Sequence, residues 1–234
     1  MVKNSNYQDL LKLIAIFTMF VDHIGFFFFP ETMELRVIGR YAMPIFGFFV
    51  GYNFKNSINF SILLYGLILY LISVLFIWQY FIQANILISI FVGQVYLFYF
   101  QDHFKNLTKG CLHFVVLLAF FPFTNDFFDY GSIMIGIIVI GYMVKIQSIN
   151  TNIASCAIIF ISFFHTVVTF SSFFSNIDFF LFLLVLSAIW ISIFHSNFET
   201  EISFNIKIIT RHSMLIYFVH ILIIQFVWWY YVIL

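Results

Sequence analysis

The stretch from Asp9 to Phe54, DLLKLIAIFTMFVDHIGFFFFPETMELRVIGRYAMPIFGFFVGYNF, decides how the rest of the chain is read. Its hydropathy predicts two long apolar helices, over 10–29 and 36–54, joined by the short turn PETMEL. Asp22 and His23 sit inside the first helix, and Arg36 and Arg40 open the second. An ionisable side chain at the centre of a membrane helix costs about 2.5–3.5 kcal/mol on insertion scales. Four such residues in one hairpin therefore mark a functional site.

Outward from the hairpin the chain stays apolar. It has 234 residues, is 63% hydrophobic and 9% charged, and has a mean hydropathy of +1.06. Soluble domains are about 25% charged, and apolar runs of about 20 residues cross a bilayer. The predicted fold class is all-α, a polytopic transmembrane helix bundle that forms a single integral membrane domain over 1–234. Its expected surroundings are the lipid bilayer, and a net charge of +0 offers nothing to nucleic acid.

About nine spans are expected, over 10–29, 36–54, 59–78, 82–100, 110–123, 130–145, 152–170, 178–195 and 213–233. The break near 79–83 is the weakest, and 110–123 is short for a span. Charge bias orients them. With Lys3 and Lys12 on the inside, alternate loops hold Lys55, then Lys105 and Lys109, then Lys145, then Lys207 and Arg211. The opposite loops hold Glu31, Glu34, Asp126, Asp129 and Asp178, with Arg36 and Arg40 as the basic exceptions. The positive-inside rule then predicts N-in and C-out, in a multi-pass protein of a bacterial inner (cytoplasmic) membrane. The closing Trp228, Trp229, Tyr230 and Tyr231 read as an outer aromatic belt. Lys12, the absence of a small-residue cleavage site, and Asp22 with His23 inside the first run predict a retained helix rather than a removed signal peptide.

Cys111 and Cys156 are expected as small buried hydrophobes, with neither metal spacing nor a disulfide framework. The histidines show no zinc spacing, and no metal is expected. His165 and His195 are expected at helix ends near the interface, and nothing in the pattern explains His113. Lys105, Lys109, Lys207 and Arg211 could bind phosphate groups as point charges or a bidentate fork, but charge bias alone explains them, and no glycine-rich phosphate loop is present.

Neighbours on a helix point about 100° apart, so Asp22 and His23 cannot orient each other as a dyad. Arg36, Arg40 and Pro44 recur one turn apart on one face, and Gly47 with Gly51 continues near it as a small-residue pair. At about 1.5 Å of rise per residue, Asp22 lies roughly 10 Å and Arg40 roughly 6 Å below the outer helix ends. That similar depth predicts an Asp22–Arg40 ion pair. His23 is the natural general base, since neutral imidazole takes up protons near pH 7. His220 lies about 10 Å into the last span with Tyr217 on the same face, able to line a path from the inner side.

The hairpin motifs are D-L-L-K at Asp9 to Lys12, M-x-x-D-H-I-G from Met19 to Gly25, and R-x-I-G-R-x-A-x-P-I-F-x-F from Arg36 to Phe48. In these the chain resembles the TraX family, the F-pilin acetylases of conjugation systems, and more distantly other multi-span membrane acyltransferases. Asp129, Tyr130 and Gly131, with Gly136 and Tyr142, resemble the family's later D/E-Y-G segment. Y-F-V-H from Tyr217 to His220 is similar to the terminal Y-x-x-H of related acyltransferases. Met43 stands where a Phe is more usual, and 59–123 matches only in hydropathy and an N-I-L at Asn85.

The resemblance implies transfer of an acetyl group from cytoplasmic acetyl-CoA to an outer-face acceptor, the N-terminal amine of a pilin-like subunit. His23 and Asp22 would be catalytic, His23 as base or transient acetyl acceptor. Arg36, Arg40, Asp129, Tyr130, Tyr217 and His220 would line the substrate. Two readings from other classes stand beside it. One is a carrier or flippase with a buried Asp/His/Arg substrate site. The other is an assembly subunit held by small-residue packing.

Overall fold

The computed structural model describes residues 5–40, 42–76, 83–170, 200–203 and 205–233. Lys3, the predicted turn residues 79–82, and the predicted span 178–195 with Asp178 and His195 lie outside the described residues. Among those described, every regular element is a helix: α1 (Tyr7–Phe28), α2 (Met33–Gly39), α3 (Ala42–Tyr52), α4 (Phe60–Phe76), α5 (Ile86–Phe100), α6 (Leu107–Thr124), α7 (Gly131–Lys145), α8 (Thr151–Phe170), α9 (Lys207–Arg211) and α10 (Ser213–Ile233). One 3-10 turn, His103–Lys105, precedes α6, and the only β pairing described is two isolated bridges.

Three of these helices are long and apolar enough to cross a membrane: Tyr7–Phe28, Leu107–Thr124 and Ser213–Tyr231. The surface is inside-out. Phe17, Leu75, Phe123 and Tyr231 are 67–80% exposed, while Asp22, His165, His220 and Gln225 are buried. Water would penalise that distribution and lipid accommodates it. Cys111 and Cys156 correct the expectation of burial. Both are exposed on helix surfaces, where an apolar thiol suits a hydrocarbon environment.

The predicted helix over 36–54 is also corrected. The chain instead makes the short α2, breaks at Arg40, and starts again at Ala42. The described residues form two compact units, Met1–Phe46 with Ser162–Leu234, and Gly47–Ile161.

In the first unit, α1 begins with a capping box. The Asp9 N–H donates to Asn6 Oδ1, and the Asn6 N–H donates to Asp9 Oδ2, each at 3.2 Å. Such a cap contributes about 1 kcal/mol. Thr210 Oγ1 donates to the other Asp9 oxygen at 2.7 Å, and the Ile206 N–H donates to Ser5 Oγ at 2.8 Å. The Asp9 of D-L-L-K thus ties the entry of α10 to the start of α1. From there the two helices run parallel. Phe20 meets the His220 ring at 4.3 Å between centroids, and two turns further Phe27 meets Trp228 at 5.9 Å.

The second unit is built on α7, of whose 15 residues all but Ile135 and Lys145 are buried. A Cβ on Gly51 would run into the Ile138 carbonyl, and one on Gly141 into the Phe48 carbonyl. The two backbones therefore meet directly, as small-residue helix packing allows. Lys145 closes this contact by donating from Nζ to the Phe54 carbonyl.

Candidate functional site

Two glycines create the site. Gly25 stands three residues after Asp22 and Gly39 three after Arg36, so each shares a helix face with its charged neighbour. A Cβ on Gly39 would overlap the side chain of Asp22, and one on Gly25 would lie 2.7 Å from Leu35 Cβ. Only glycine lets α1 and α2 approach so closely, and the approach puts Arg36 over Asp22.

Arg36 Nη1 lies 3.0 Å from Asp22 Oδ1 and donates to the Asp22 carbonyl at 3.2 Å. The guanidinium also sits 4.8 Å above the Phe26 ring centroid, where the ring face attracts a cation. The expected Asp22–Arg40 pair is therefore replaced by Asp22–Arg36. The helix break is the reason: Gly39 occupies the contact with α1 and Arg36 lies one turn before it on α2, whereas Arg40 falls beyond the end of α2, where the straight helical face assumed for 36–54 no longer holds. Arg40 lies instead within electrostatic reach of both His23 and His165. His165 is 4% exposed.

His23 points the other way, toward α10. Its Nδ1 lies 2.9 Å from His220 Nε2, and His220 Nδ1 lies 3.0 Å from the Ile216 carbonyl oxygen. Tyr217, one turn before His220, stands edge-on to both rings, with centroids 5.8 Å from His23 and 5.4 Å from His220. The two imidazoles are level although counting from span starts separates them in depth. Residues 205–211 fold against the first turn of α1, so Ser213 begins well along α1 rather than beside its start.

Of the residues singled out in the sequence, Asp22, His23, Arg36, Arg40, Tyr217 and His220 all belong to this unit. Asp129 and Tyr130 belong to the other, at the α6–α7 junction. There the Asp129 N–H donates to the Ala84 carbonyl and Ser89 Oγ donates to the Asp129 carbonyl, both at 2.8 Å. Tyr130 and Gly131 follow in left-handed conformation, with φ of 64° and 47°. His165, named in the sequence only as a residue near a helix end, is buried within electrostatic reach of Arg40. Among the described residues no group of three or more His, Cys, Asp or Glu could hold a metal ion.

A polar cluster of this make-up, enclosed in apolar helices, can bind an anion, hold a proton on imidazole and steady developing negative charge. A family model described as TraX protein matches residues 7–228, nearly the whole chain. The chain belongs to the TraX family. This TraX-family chain is also 36% identical over 233 residues to an uncharacterized protein of Rickettsia prowazekii (strain Madrid E), covering 97% of this chain and 94% of that protein. No solved structure matches it. The family match takes in all three hairpin motifs and the Y-F-V-H of α10, and with them Asp22, His23, Arg36, Arg40, Tyr217 and His220.

Proposed function

We propose that this TraX-family chain is a membrane-embedded acetyltransferase. It moves an acetyl group from cytoplasmic acetyl-CoA to an outer-face acceptor, the N-terminal amine of a pilin-like subunit. What supports this is the family's association with pilin acetylation and one observation, the part-buried His23–His220 contact beside the Asp22–Arg36 pair. Acetyl-CoA supplies the acetyl thioester. In the transfer an N–C bond forms to the acceptor amine and the C–S bond breaks. The amine proton passes to His23 as general base and from there to the departing sulfur, so charge and atoms balance.

Arg36 and Arg40, both within electrostatic reach of His23, supply positive charge for the thioester oxygen as it becomes negative. Asp22 keeps Arg36 in place. Tyr217 forms the wall against which the reacting groups rest, and His220 stands behind it against His23. The N-in, C-out orientation belongs to the same proposal: it leaves acetyl-CoA on the inner side and a pilin amine on the outer.

The test is intact-mass measurement of pilin from conjugating cells that carry the chain, lack it, or carry His23→Ala. The proposal expects one acetyl group on the pilin amine in the first case only, with His23→Ala inserting normally. Unmodified pilin in all three, with substrate moved but chemically unchanged, would make the chain a carrier instead.

A further inference from the structure

We infer that His220 is a positioning residue that fixes the tautomer of His23, leaving Nε2 of His23 as the bare, basic nitrogen. This rests on the proposed base role of His23 for its functional meaning, but the tautomer itself can be observed without any reaction.

One atom in this chain of contacts admits a single role. A carbonyl oxygen only accepts, so the 3.0 Å contact with the Ile216 oxygen requires the proton of neutral His220 on Nδ1. A neutral imidazole carries one N–H, and Nε2 of His220 is then a bare acceptor. That nitrogen faces His23 Nδ1 at 2.9 Å, so His23 must donate from Nδ1. Its own single proton is now placed, and Nε2 is left with a lone pair. A backbone oxygen on α10 thereby bears, through two rings, on which nitrogen on α1 can take up a proton, alongside the Met19 carbonyl one turn back on α1, which also hydrogen-bonds the His23 ring.

The edge-on ring of Tyr217 and the Phe20 ring, 4.3 Å from His220 by centroid, hold the His220 plane so that the chain of contacts cannot swing away. His220 needs neither to touch the acceptor nor to change charge. It acts through His23 alone, in the way an outer hydrogen-bond partner sets the tautomer of a working histidine.

The experiment uses the full chain in lipid nanodiscs with ring-15N histidine, with the His23 signals assigned by their loss in His23→Gln. Wild type is expected to show His23 protonated on Nδ1 and bare on Nε2. His220→Gln, whose amide oxygen reaches the place of Nε2 by the same number of bonds, should keep that state. His220→Leu should release His23 to a mixture of both tautomers. Acetyl transfer measured alongside should fall on the order of 100-fold in kcat for His220→Leu and less than about tenfold for His220→Gln, with KM unchanged in both.

A wild-type His23 protonated on Nε2, or a single Nδ1–H tautomer surviving in His220→Leu, would overturn the inference. The expected tautomers in a wild-type chain that transfers no acetyl group would uphold it while removing the acetyltransferase reading.

Discussion

His23 and His220 meet nitrogen to nitrogen at 2.9 Å, and so do His103 and His113 in the second unit. The first pair joins residues 197 apart in sequence, and the second joins residues ten apart. His220 is buried and ends on a backbone carbonyl, with Arg36 and Arg40 in electrostatic reach of His23. His113 ends on the hydroxyl of Tyr96 at 2.5 Å, and its partner His103 is exposed, next to the solvated Asp102–Lys105 pair. Equal geometry therefore does not mean equal chemistry. The inner pair has fixed charges around it and a carbonyl that assigns its protons. The outer pair is a local link between α5, the 3-10 turn and α6, open to water on one side.

That contrast can be broken by experiment, most sharply at the rings themselves. His23→Ala should lower acetyl transfer by about 10²–10⁴-fold, the usual contribution of general acid–base catalysis. His113→Ala should change it less than about threefold, since the outer pair has no part in the transfer. Rates that fall equally in the two variants would erase the distinction.

The next effect concerns the ion pair that accompanies only the inner histidines. Removing one partner of a buried pair costs about 3–5 kcal/mol, so Arg36→Leu should lower thermal stability in detergent by that order. The exchange Asp22→Arg with Arg36→Asp should recover part of the loss, whereas exchanging Asp22 with Arg40 should recover none. Recovery through Arg40 instead would reassign the pair.

Gly39→Ala comes third. Overpacking a close contact costs about 1–3 kcal/mol, and here it pushes α2 away from Asp22. Acetyl transfer and the melting temperature should fall together. An unchanged melting curve would mean that α1 and α2 do not meet at this glycine.

The smallest effect lies beside the outer pair. The Lys105 ammonium, 2.7 Å away, holds the Asp102 carboxyl below its ordinary range. A lowered folded-state value contributes stability above the ordinary carboxylate range and loses it as pH falls through the lowered value. Both groups are fully solvated, so Asp102→Asn should leave the melting temperature unchanged at neutral pH. A clear drop would show that this end of the second unit is less solvated than its geometry indicates.

The sequence made the apolar helices legible because hydropathy is a local property, and residue windows carry it without knowledge of the fold. Asp22, His23, Arg36 and Arg40 were conspicuous for a similar reason: each is ionisable within an apolar stretch. Which arginine meets Asp22 was not. That depends on a helix break at Arg40 and on Gly39 being the contact point, and a straight helix over 36–54 turns the wrong side chain inward. The level meeting of His23 and His220 was hidden too. Depth counted from residue 213 ignores α9 and the Ser5 and Asp9 bonds that fold the approach to α10 against α1. His113 gave no signal in sequence because its partners, Tyr96 and His103, lie on two other elements.

The most direct measurement of the central claim is CoA release by the purified full chain in nanodiscs, with acetyl-CoA and a peptide bearing a pilin N-terminus, run beside His23→Ala. Wild type is expected to release CoA matched one for one by acetylated peptide, and the variant to give neither product above background. Matched release at an undiminished rate in His23→Ala would contradict it.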